Sequence, residues 1–500
     1  MTARRKPPRC HRGPDMDKLK VGILTFSDGR EYIHNDLLPV NEAYQDSLAR
    51  TLEGTGQVEV VPGREIIWNQ RLAQTEARRL AATGCDLTIL NYAIWCFPHL
   101  SAIATAFAPG PYLLFCNLHP SEPGMVGMLA ASGALQQLGR PHTRVWGRIQ
   151  DPAVMANVMC YIKAAGALSR LRGQTYGLFG GRPLGMYTAV ANLDEWQRMF
   201  AVDVEHIEQY DLVEYAKRAD IHRVDAALAW LEEHVREIKY DGKALTPEKL
   251  KLQIRSYYAY RQIISERRLD FVGTKAHGDL TDHFVTMDVA EAFLNDPYDW
   301  DGPHEPIVAA TEADMDGALT MQIFKLIAHK PALFADVRHY DCQDDVWYLS
   351  NSGTHATYFA GGSEDPAVNL KQVTLYPEVS YYPAGGASVH HFAAPGKVTL
   401  ARLARRNGQY WMAIVPGEFV EFPRDVALAK GATCTPEWPI AFARLECPAD
   451  VFLATYPCNH IHGCYGDWER ELLHVASLLG IEAKVYRSGT RGVGALMAGD

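Results

Sequence analysis

The sequence lacks the features that mark several large classes of protein. Its ten cysteines are spread along the chain and include no Cys-x-x-Cys pair. This excludes the usual zinc-ribbon spacing and argues against a disulfide framework. No run of apolar residues approaches the roughly 18 that a membrane-spanning helix needs. Basic residues are the minority, since 49 Lys and Arg stand against 59 Asp and Glu and the formal net charge is −10. We therefore expect a cytoplasmic protein without a nucleic-acid or membrane partner.

The composition is that of an ordinary globular protein. Hydrophobic residues make up 47% and charged residues 22% of the chain, which argues against extensive disorder. The chain has 500 residues, more than one core usually holds, so we expect about two to four domains. The first residues are polar and contain no apolar core of the kind found in signal peptides. We predict that residues 1–19 form a disordered extension.

Residues 20–330 alternate between strand and helix patterns. Strands are expected at 21–26, 58–61, 86–94, 112–117, 174–180, 204–209, 271–275 and 307–312. Helical patterns fill the intervals, including 152–172 and 247–268. This βαβ rhythm is typical of parallel sheets with helices on both faces. It predicts an α/β fold with two Rossmann-like domains, residues 20–170 and residues 171–330.

The pattern changes after about residue 341. Short β-type runs at 373–376, 388–392, 398–403 and 410–414 follow one another, with Gly and Pro between them. Strands without intervening helices indicate an antiparallel sheet or barrel. We therefore predict a mostly antiparallel, barrel-like C-terminal domain over residues 331–500, which a helix at 468–479 and a strand at 483–486 complete.

Two carboxylates and an imidazole in this chain are metal-type ligands. Glu312 and Asp336 each end an apolar run, and His460 lies far downstream. Two carboxylates with one imidazole suit a hard or borderline divalent ion such as Mn²⁺ or Mg²⁺. The carboxyl edge of a parallel sheet is a usual place for a site, but a strand-end carboxylate can also cap the next helix. Asp314 and Asp316 are better placed for capping, and the residue pattern alone leaves both interpretations open.

The segment Asn459-His460-Ile-His462 contains a second imidazole. In an extended segment, side chains at positions i and i+2 share a face. His460 and His462 could therefore bind one metal together, or one could bind while the other packs or faces solvent. The spacing alone is compatible with either arrangement.

Ordered segments from about residue 20 to the C-terminus resemble those of one enzyme family. They include His304-Glu-Pro-Ile-Val-Ala-Ala-Thr-Glu312, Asn351-Ser-Gly353 and Asn459-His460, together with residues 179–186, 202–207, 293–302, 316–321, 334–340, 382–387 and 414–419. On these segments the chain resembles the L-fucose isomerase family, metal-dependent aldose–ketose isomerases that also act on D-arabinose. The resemblance implies an enzyme whose substrate is a small sugar.

The resemblance also implies a ligand set and a mechanism. In the family, a glutamate, an aspartate and a histidine bind one Mn²⁺, which corresponds to Glu312, Asp336 and His460 here. Mg²⁺ or Co²⁺ are alternative ions, and His462 falls outside the ligand set. Glu312 and Asp336 are then the catalytic residues that move a proton between C2 and C1 of the sugar through a cis-enediol.

Seven further positions are candidates for sugar binding, and the resemblance implies this role most directly for Arg30, Trp95, Ser352 and Asn459. The seven are Arg30, Trp95, Met186, His277, Ser352, Trp438 and Asn459. Core packing is an alternative role for Met186 and Trp438. In the family, each subunit contributes a tryptophan to the pocket of a neighbouring subunit. That tryptophan corresponds to Trp95 here. The resemblance therefore implies a homo-hexamer with active sites at subunit interfaces.

Two departures from the family concern the choice of substrate. Family members carry a glutamine after a lysine and a small residue, where this chain has Lys275-Ala276-His277. The chain is also shorter after Asp336 than the best-known members. An isomerase of a different or modified sugar, or a non-catalytic sugar-binding homologue, are therefore alternative functions.

Overall fold

The computed structural model describes residues 18–352 and 355–489. These residues form two compact units. The first unit comprises residues 18–170 and 470–480, and the second comprises 171–352, 355–469 and 481–489. Residues 1–17 of the predicted extension lie outside the described residues, while Leu19 is the first residue of a strand.

The first unit is built around a parallel sheet. Its main elements are β1 (Leu19–Phe26), α1 (Glu31–Glu53), β2 (Val58–Pro62), α2 (Gln70–Thr83), β3 (Leu87–Tyr92), α3 (Pro98–Ala104), β4 (Tyr112–Cys116), α4 (Gly124–Gln137), β5 (His142–Trp146) and α5 (Pro152–Leu171). The strands pair in the order β2-β1-β3-β4-β5, always in parallel. Every residue of β3 is buried, as expected for a strand with helices on both faces. Of these strands, only β5 was not expected from the sequence.

The second unit begins with another parallel sheet. Its elements to residue 328 are β6 (Thr175–Phe179), α6 (Leu193–Phe200), β7 (Asp203–Ile207), α7 (Gln209–Ala216), α8 (Ile221–His234), β8 (Glu237–Ile238), α9 (Pro247–Arg267), β9 (Phe271–Thr274), α10 (Leu280–His283), α11 (Asp288–Asn295), β10 (Tyr298–Asp299), β11 (Gly302–Pro303), β12 (Ala309–Thr311) and α12 (Met315–Ala328). The sheet order is β12-β9-β6-β7, with parallel pairing. The last residues of β9 and β12, Thr274 and Thr311, are register partners. The loops that follow them therefore leave the sheet side by side.

The rest of the chain is richer in antiparallel strands. Its elements are β13 (Leu333–Asp341), β14 (Val346–Ser350), a 3₁₀ helix (Thr357–Ala360), α13 (Pro366–Leu370), β15 (Thr374–Pro377), β16 (Ala387–His390), β17 (Gly396–Arg406), β18 (Gln409–Phe419), α14 (Arg424–Ala432), β19 (Ile440–Leu445), α15 (Ala449–Thr455), β20 (His460–Tyr465), α16 (Glu469–Leu479) and β21 (Glu482–Val485). Of these, α16 belongs to the first unit.

Six of these strands close into a ring in the second unit. Their order is β17-β20-β13-β14-β19-β18, and β18 pairs again with β17. All six pairings are antiparallel, while β21 adds to β18 in parallel. The fold is thus α/β, with parallel sheets in the N-terminal region and a mixed, ringed sheet towards the C-terminus.

The expectation that no helices interrupt the C-terminal strands is wrong. Helices α14 and α15 separate β18, β19 and β20 along the chain. They have only nine and seven residues, too few for a helical period to stand out in the sequence. In the part of the chain that the structure describes, no helix has both the length and the apolar character that crossing a membrane requires.

Candidate active site

Glu312 stands on an unusual stretch of backbone directly after β12. Its φ is +56° and that of Ala313 is +48°, a left-handed conformation that costs free energy in non-glycine residues and often marks functional sites. The Ala313 N–H donates to the Thr274 carbonyl at 2.8 Å, which ties the turn to the neighbouring strand β9. Asp314 then caps α12 by accepting from the Gly317 N–H at 2.9 Å. The chain therefore leaves the sheet with the Glu312 side chain free of the capping role.

Asp336 and His460 come from neighbouring strands of the ring. They are register partners in the antiparallel pair β13–β20, so their side chains leave the same face of the sheet. His460 Nε2 lies 3.0 Å from Glu312 Oε2 and 3.5 Å from Asp336 Oδ1. The structure therefore brings together the three residues expected to bind a metal, which we call the trio.

One detail of the expected placement of Asp336 is wrong. Asp336 does not lie where a parallel strand ends; it is the fourth of the nine residues of the antiparallel strand β13. The apolar run stops at Asp336 because the later part of the strand is only partly buried. The change in burial along one strand looked like the end of a strand in the sequence.

Asp314 fixes the orientation of the His460 ring. Asp314 Oδ2 lies 2.6 Å from His460 Nδ1, so Nδ1–H donates to the carboxylate and Nε2 points towards Glu312 and Asp336. Asp314 also forms a buried ion pair with Arg402, whose Nη2 lies 3.0 Å from Asp314 Oδ1. Burial alone would raise the pKa of Asp314, but Arg402 and His460 outweigh it and hold that pKa well below its usual range. Asp314 therefore stays ionised beside the imidazole.

The residues of the trio fit a divalent ion in their chemistry. His460 Nε2 is buried and has no hydrogen-bond partner with proper geometry among the described residues, although it faces two carboxylates. Two ligands about 2.1 Å from one ion and at right angles to each other are about 3.0 Å apart, close to the observed separations. Within residues 18–352 and 355–489, no His, Cys, Asp or Glu group is arranged as a metal site as it stands. Binding would therefore require small adjustments of these side chains.

The two carboxyl groups of the trio have opposite pKa shifts. Burial would raise the pKa of Glu312, but His277 and His460 outweigh it and lower that pKa to about 2. Burial raises the pKa of Asp336, and His460 only partly offsets this rise. Environments that separate the pKa values of two neighbouring carboxyls are typical of acid–base sites. Of the two, Asp336 is the group that more readily holds a proton.

Asparagine side chains hold the Asp336 carboxylate from two sides. Asn351 Nδ2 donates to Asp336 Oδ2 at 2.8 Å, and Asn459 Nδ2 donates to Asp336 Oδ1 at 3.1 Å. Ser352 donates from its backbone N–H to Asn351 Oδ1 at 2.7 Å. Met186 lies beside Asn459, with Sδ 3.9 Å from Asn459 Nδ2. Of the predicted sugar contacts, Asn459 therefore bonds directly to Asp336, while Ser352 and Met186 each contact one of the two asparagines.

His277 lies on the opposite side of Glu312. Its Nε2 is 3.3 Å from Glu312 Oε1 and 3.5 Å from the Tyr382 hydroxyl. The Tyr382 ring stacks at 6.5 Å on the indole of Trp438, which is also covered by the Arg338 guanidinium at 5.1 Å. A continuous series of side chains thus runs from the trio through His277 and Tyr382 to Trp438.

Arg30 and Trp95 belong to the first unit. Arg30 is exposed and forms a bidentate ion pair with Asp28, at 2.9 and 2.6 Å. Trp95 is partly buried, and its ring centroid lies 6.5 Å from that of Phe97. Their contacts with a sugar remain predictions.

His462 packs away from the trio's carboxylates. Its Nε2 accepts from Arg402 Nη1 at 2.9 Å, and its ring packs against Phe334 at 4.8 Å. Burial, together with the charge of Arg402, lowers the pKa of His462 well below its usual value. His462 therefore acts as a neutral acceptor that supports Arg402.

Sequence reasoning missed several residues around the trio. Asp314 was assigned the helix cap that it does form, but not its bond to His460. Asn351 and Tyr382 lie in segments that carried the resemblance and were given no role. Arg402 gave no signal in the sequence, because it is an ordinary position of β17 and meets Asp314 only through the fold.

Comparison with known proteins identifies relatives that match along most of the chain. Sequence profiles of L-fucose isomerase match the first N-terminal domain over residues 18–173, the second N-terminal domain over 269–329 and the C-terminal domain over 349–487. L-fucose isomerase of Haemophilus influenzae strain PittEE is 23% identical over 95% of this chain and 94% of its own length. That of Bacteroides thetaiotaomicron is 23% identical, over 92% of each chain. That of Streptococcus pneumoniae strain Taiwan19F-14 is 25% identical, over 93% of each chain.

Proposed function

The chain belongs to the L-fucose isomerase family, and from this premise we propose that it converts L-fucose, or the similar aldose D-arabinose, into the corresponding ketose. Family membership makes it an aldose–ketose isomerase, an intramolecular oxidoreductase. The choice of sugar is the proposal. It is supported by the names of the relatives that match over almost the whole chain.

The observation that best supports the chemistry is the geometry of the trio. The carboxylates of Glu312 and Asp336 converge on His460 Nε2, which is buried and has no hydrogen-bond partner of proper geometry among the described residues. We propose that these three residues hold one divalent ion. Mn²⁺ is the preferred candidate, and Mg²⁺ and Co²⁺ are the alternatives. Such an ion, when bound, acts as a Lewis acid that polarises the sugar oxygens.

The proposed proton transfer uses the two carboxyl groups of the trio. Isomerisation moves one proton from C2 of the aldose to C1 and a second proton from O2 to O1, through a cis-enediol. A carboxylate beside C2 accepts the proton and, as the acid, returns it to C1. Asp336 and Glu312 are the two candidates for this carboxylate, because both lie beside His460 Nε2.

The remaining side chains are proposed to orient the sugar. Asn459 and Ser352 offer polar groups beside Asp336, and His277 does so beside Glu312. Trp438 and Met186 supply apolar surface for the carbon side of the sugar. We further propose that Arg30 and Trp95 contact the sugar, with Trp95 reaching the pocket of a neighbouring subunit in a homo-hexamer, so that activity would depend on assembly.

A panel of aldoses tests this proposal. The purified protein is incubated with each sugar, with and without Mn²⁺, and the ketose is measured in a coupled assay. We expect turnover of L-fucose and D-arabinose that requires the ion. Tight sugar binding without turnover of any aldose would instead favour the non-catalytic sugar-binding protein and reject the proposed activity.

A further inference from the structure

A group of buried carboxyl side chains lies behind the proposed sugar pocket. Asp288 is the first residue of α11, Glu378 follows β15, and Glu437 precedes β19. Each is at most 3% exposed. None of the three forms an ion pair with Lys, Arg or His in the parts of the chain described. We call these three residues the carboxyl cluster.

The cluster is joined to the pocket through Trp438. The Trp438 Nε1–H donates to Glu378 Oε2 at 2.7 Å, and Glu378 Oε1 accepts from the Ser380 N–H at 3.0 Å. Trp438 stacks on Tyr382, whose hydroxyl lies 3.5 Å from His277 Nε2. Trp438 and Tyr382 form one side of the pocket, and Glu378 holds that side through its hydrogen bond to Trp438. The hydrogen bonds of Glu378 do not reach the trio.

Asp288 and Glu437 lie close enough to Glu378 to act on its pKa. Burial raises the pKa of Glu378 to about 9, and the charges of Asp288 and Glu437 add to this rise. Asp288 Oδ2 and Glu437 Oε1 are buried without a hydrogen-bond partner among the described residues. Burial without a cation therefore favours the protonated form of Glu378. The hydrogen bonds that hold the Glu378 carboxyl come from the Trp438 Nε1–H and the Ser380 N–H.

We propose that Glu378 is a positioning residue of the sugar pocket, which fixes the Trp438 indole through Nε1 and is itself held by the Ser380 N–H. The inference rests on the proposed function, because it assigns Trp438 to the wall of that function's pocket. Glu378 does not contact the reacting atoms. Its loss should therefore weaken sugar binding and leave the chemical step unchanged.

A double-mutant cycle tests this role. We compare the wild type with Glu378→Ala, Trp438→Phe and the double variant, and measure KM and kcat for L-fucose. Each single change should raise KM about five- to thirtyfold, the range expected for one buried hydrogen bond, with kcat within twofold. The double variant should have the KM of the single variants, because both remove the same bond. Additive effects on KM, or a fall in kcat alone, would overturn the proposal.

A conservative variant separates positioning from simple loss of packing. Glu378→Gln keeps the shape and can still accept from Trp438 Nε1–H through its one oxygen, although its amide nitrogen cannot accept from the Ser380 N–H, so KM should return to within about threefold of the wild type. If Glu378→Ala does not fold, Glu378→Gln takes its place in the comparison of KM values. Asp299→Asn is the matched control, since Asp299 is a buried carboxyl that accepts from the Tyr257 hydroxyl. A KM for Glu378→Gln as high as that of Glu378→Ala, or an equal rise in Asp299→Asn, would contradict the specific role.

A binding measurement distinguishes failure of this inference from failure of the proposed function. The same variants are titrated calorimetrically with L-fucitol, a polyol that cannot isomerise. The wild type could turn over no aldose and still bind L-fucitol, with the double variant binding as weakly as each single variant. The proposed activity would then fail, and the positioning role would stand. Turnover with an additive pattern rejects only the positioning role. If the wild type neither turns over L-fucose nor binds L-fucitol, both are rejected.

Discussion

Asp336 and His460 face each other as register partners on the antiparallel strands β13 and β20. This pairing fixes two members of the trio on a rigid part of the ring, while Glu312 reaches them from the turn after β12, with its carboxylate 3.0 Å from His460 Nε2. Sites carried by strands hold side chains more precisely than sites carried by loops. We therefore expect the trio to be sensitive to small chemical changes.

Glu312→Gln and Asp336→Asn should each abolish isomerisation while the fold is retained. Each change removes a carboxylate that is proposed to bind the ion or move the proton, and a general base alone typically contributes about 10² to 10⁴-fold in rate. The measurement is kcat for L-fucose together with circular dichroism. Glu418→Gln, at an exposed position of β18, serves as the control. A folded Asp336→Asn variant with wild-type kcat would reject the acid–base role.

Asp314→Asn should weaken metal retention although Asp314 is not expected to bind the ion. It removes the carboxylate that fixes the His460 ring, and loss of such a partner typically costs 10- to 100-fold in affinity. Metal content after dialysis checks this. Asp316→Asn is a matched control, because Asp316 is also buried but pairs with Arg405 and Tyr410. Equal metal content in the two variants would show that Asp314 does not act through His460.

Arg402→Met should destabilise the fold by about 3–5 kcal/mol, because the buried Asp314 charge would lose its main counter-ion. The Arg402 and Asp314 side chains are 1% and 0% exposed, so water cannot replace the lost partner. Denaturant unfolding measures the loss. Arg405→Met removes a similar pair whose arginine is 22% exposed, and its effect should be smaller. A loss for Arg402→Met no larger than that for Arg405→Met would refute this ranking.

Stability should fall as the pH rises from about 4.5 to about 8. Burial raises the pKa of Glu291 to about 8 from its ordinary value near 4.5, so the folded state holds a proton that the unfolded state has lost. The stabilisation is fully present below the unfolded pKa and is lost as the pH passes through the folded pKa, at up to about 1.4 kcal/mol per pH unit per proton. Unfolding free energies across this range give the slope, which Glu291→Gln should reduce. If the slope were unchanged in that variant, Glu291 would not be a source of the pH dependence of stability.

The sequence was sufficient to predict much of the fold but only part of the site. Strands and helices of the parallel sheets have clear apolar periods, and Glu312 was recognised because it directly follows such a strand. The pairing of Asp336 with His460 depends on strand register across the ring, which no local pattern encodes. The contacts of Arg402 with Asp314 and of Trp438 with Glu378 also join distant segments. Such contacts arise only from the tertiary fold.

The central claim is that the trio forms a metal-dependent aldose–ketose isomerase site. The most direct test is to strip the purified protein of metal with a chelator, confirm the metal content, and follow conversion of L-fucose before and after adding Mn²⁺. The account predicts that activity is lost on stripping and returns with about one ion bound per chain, and that the His460→Ala variant fails to recover it. Full activity in the metal-free protein would contradict the account.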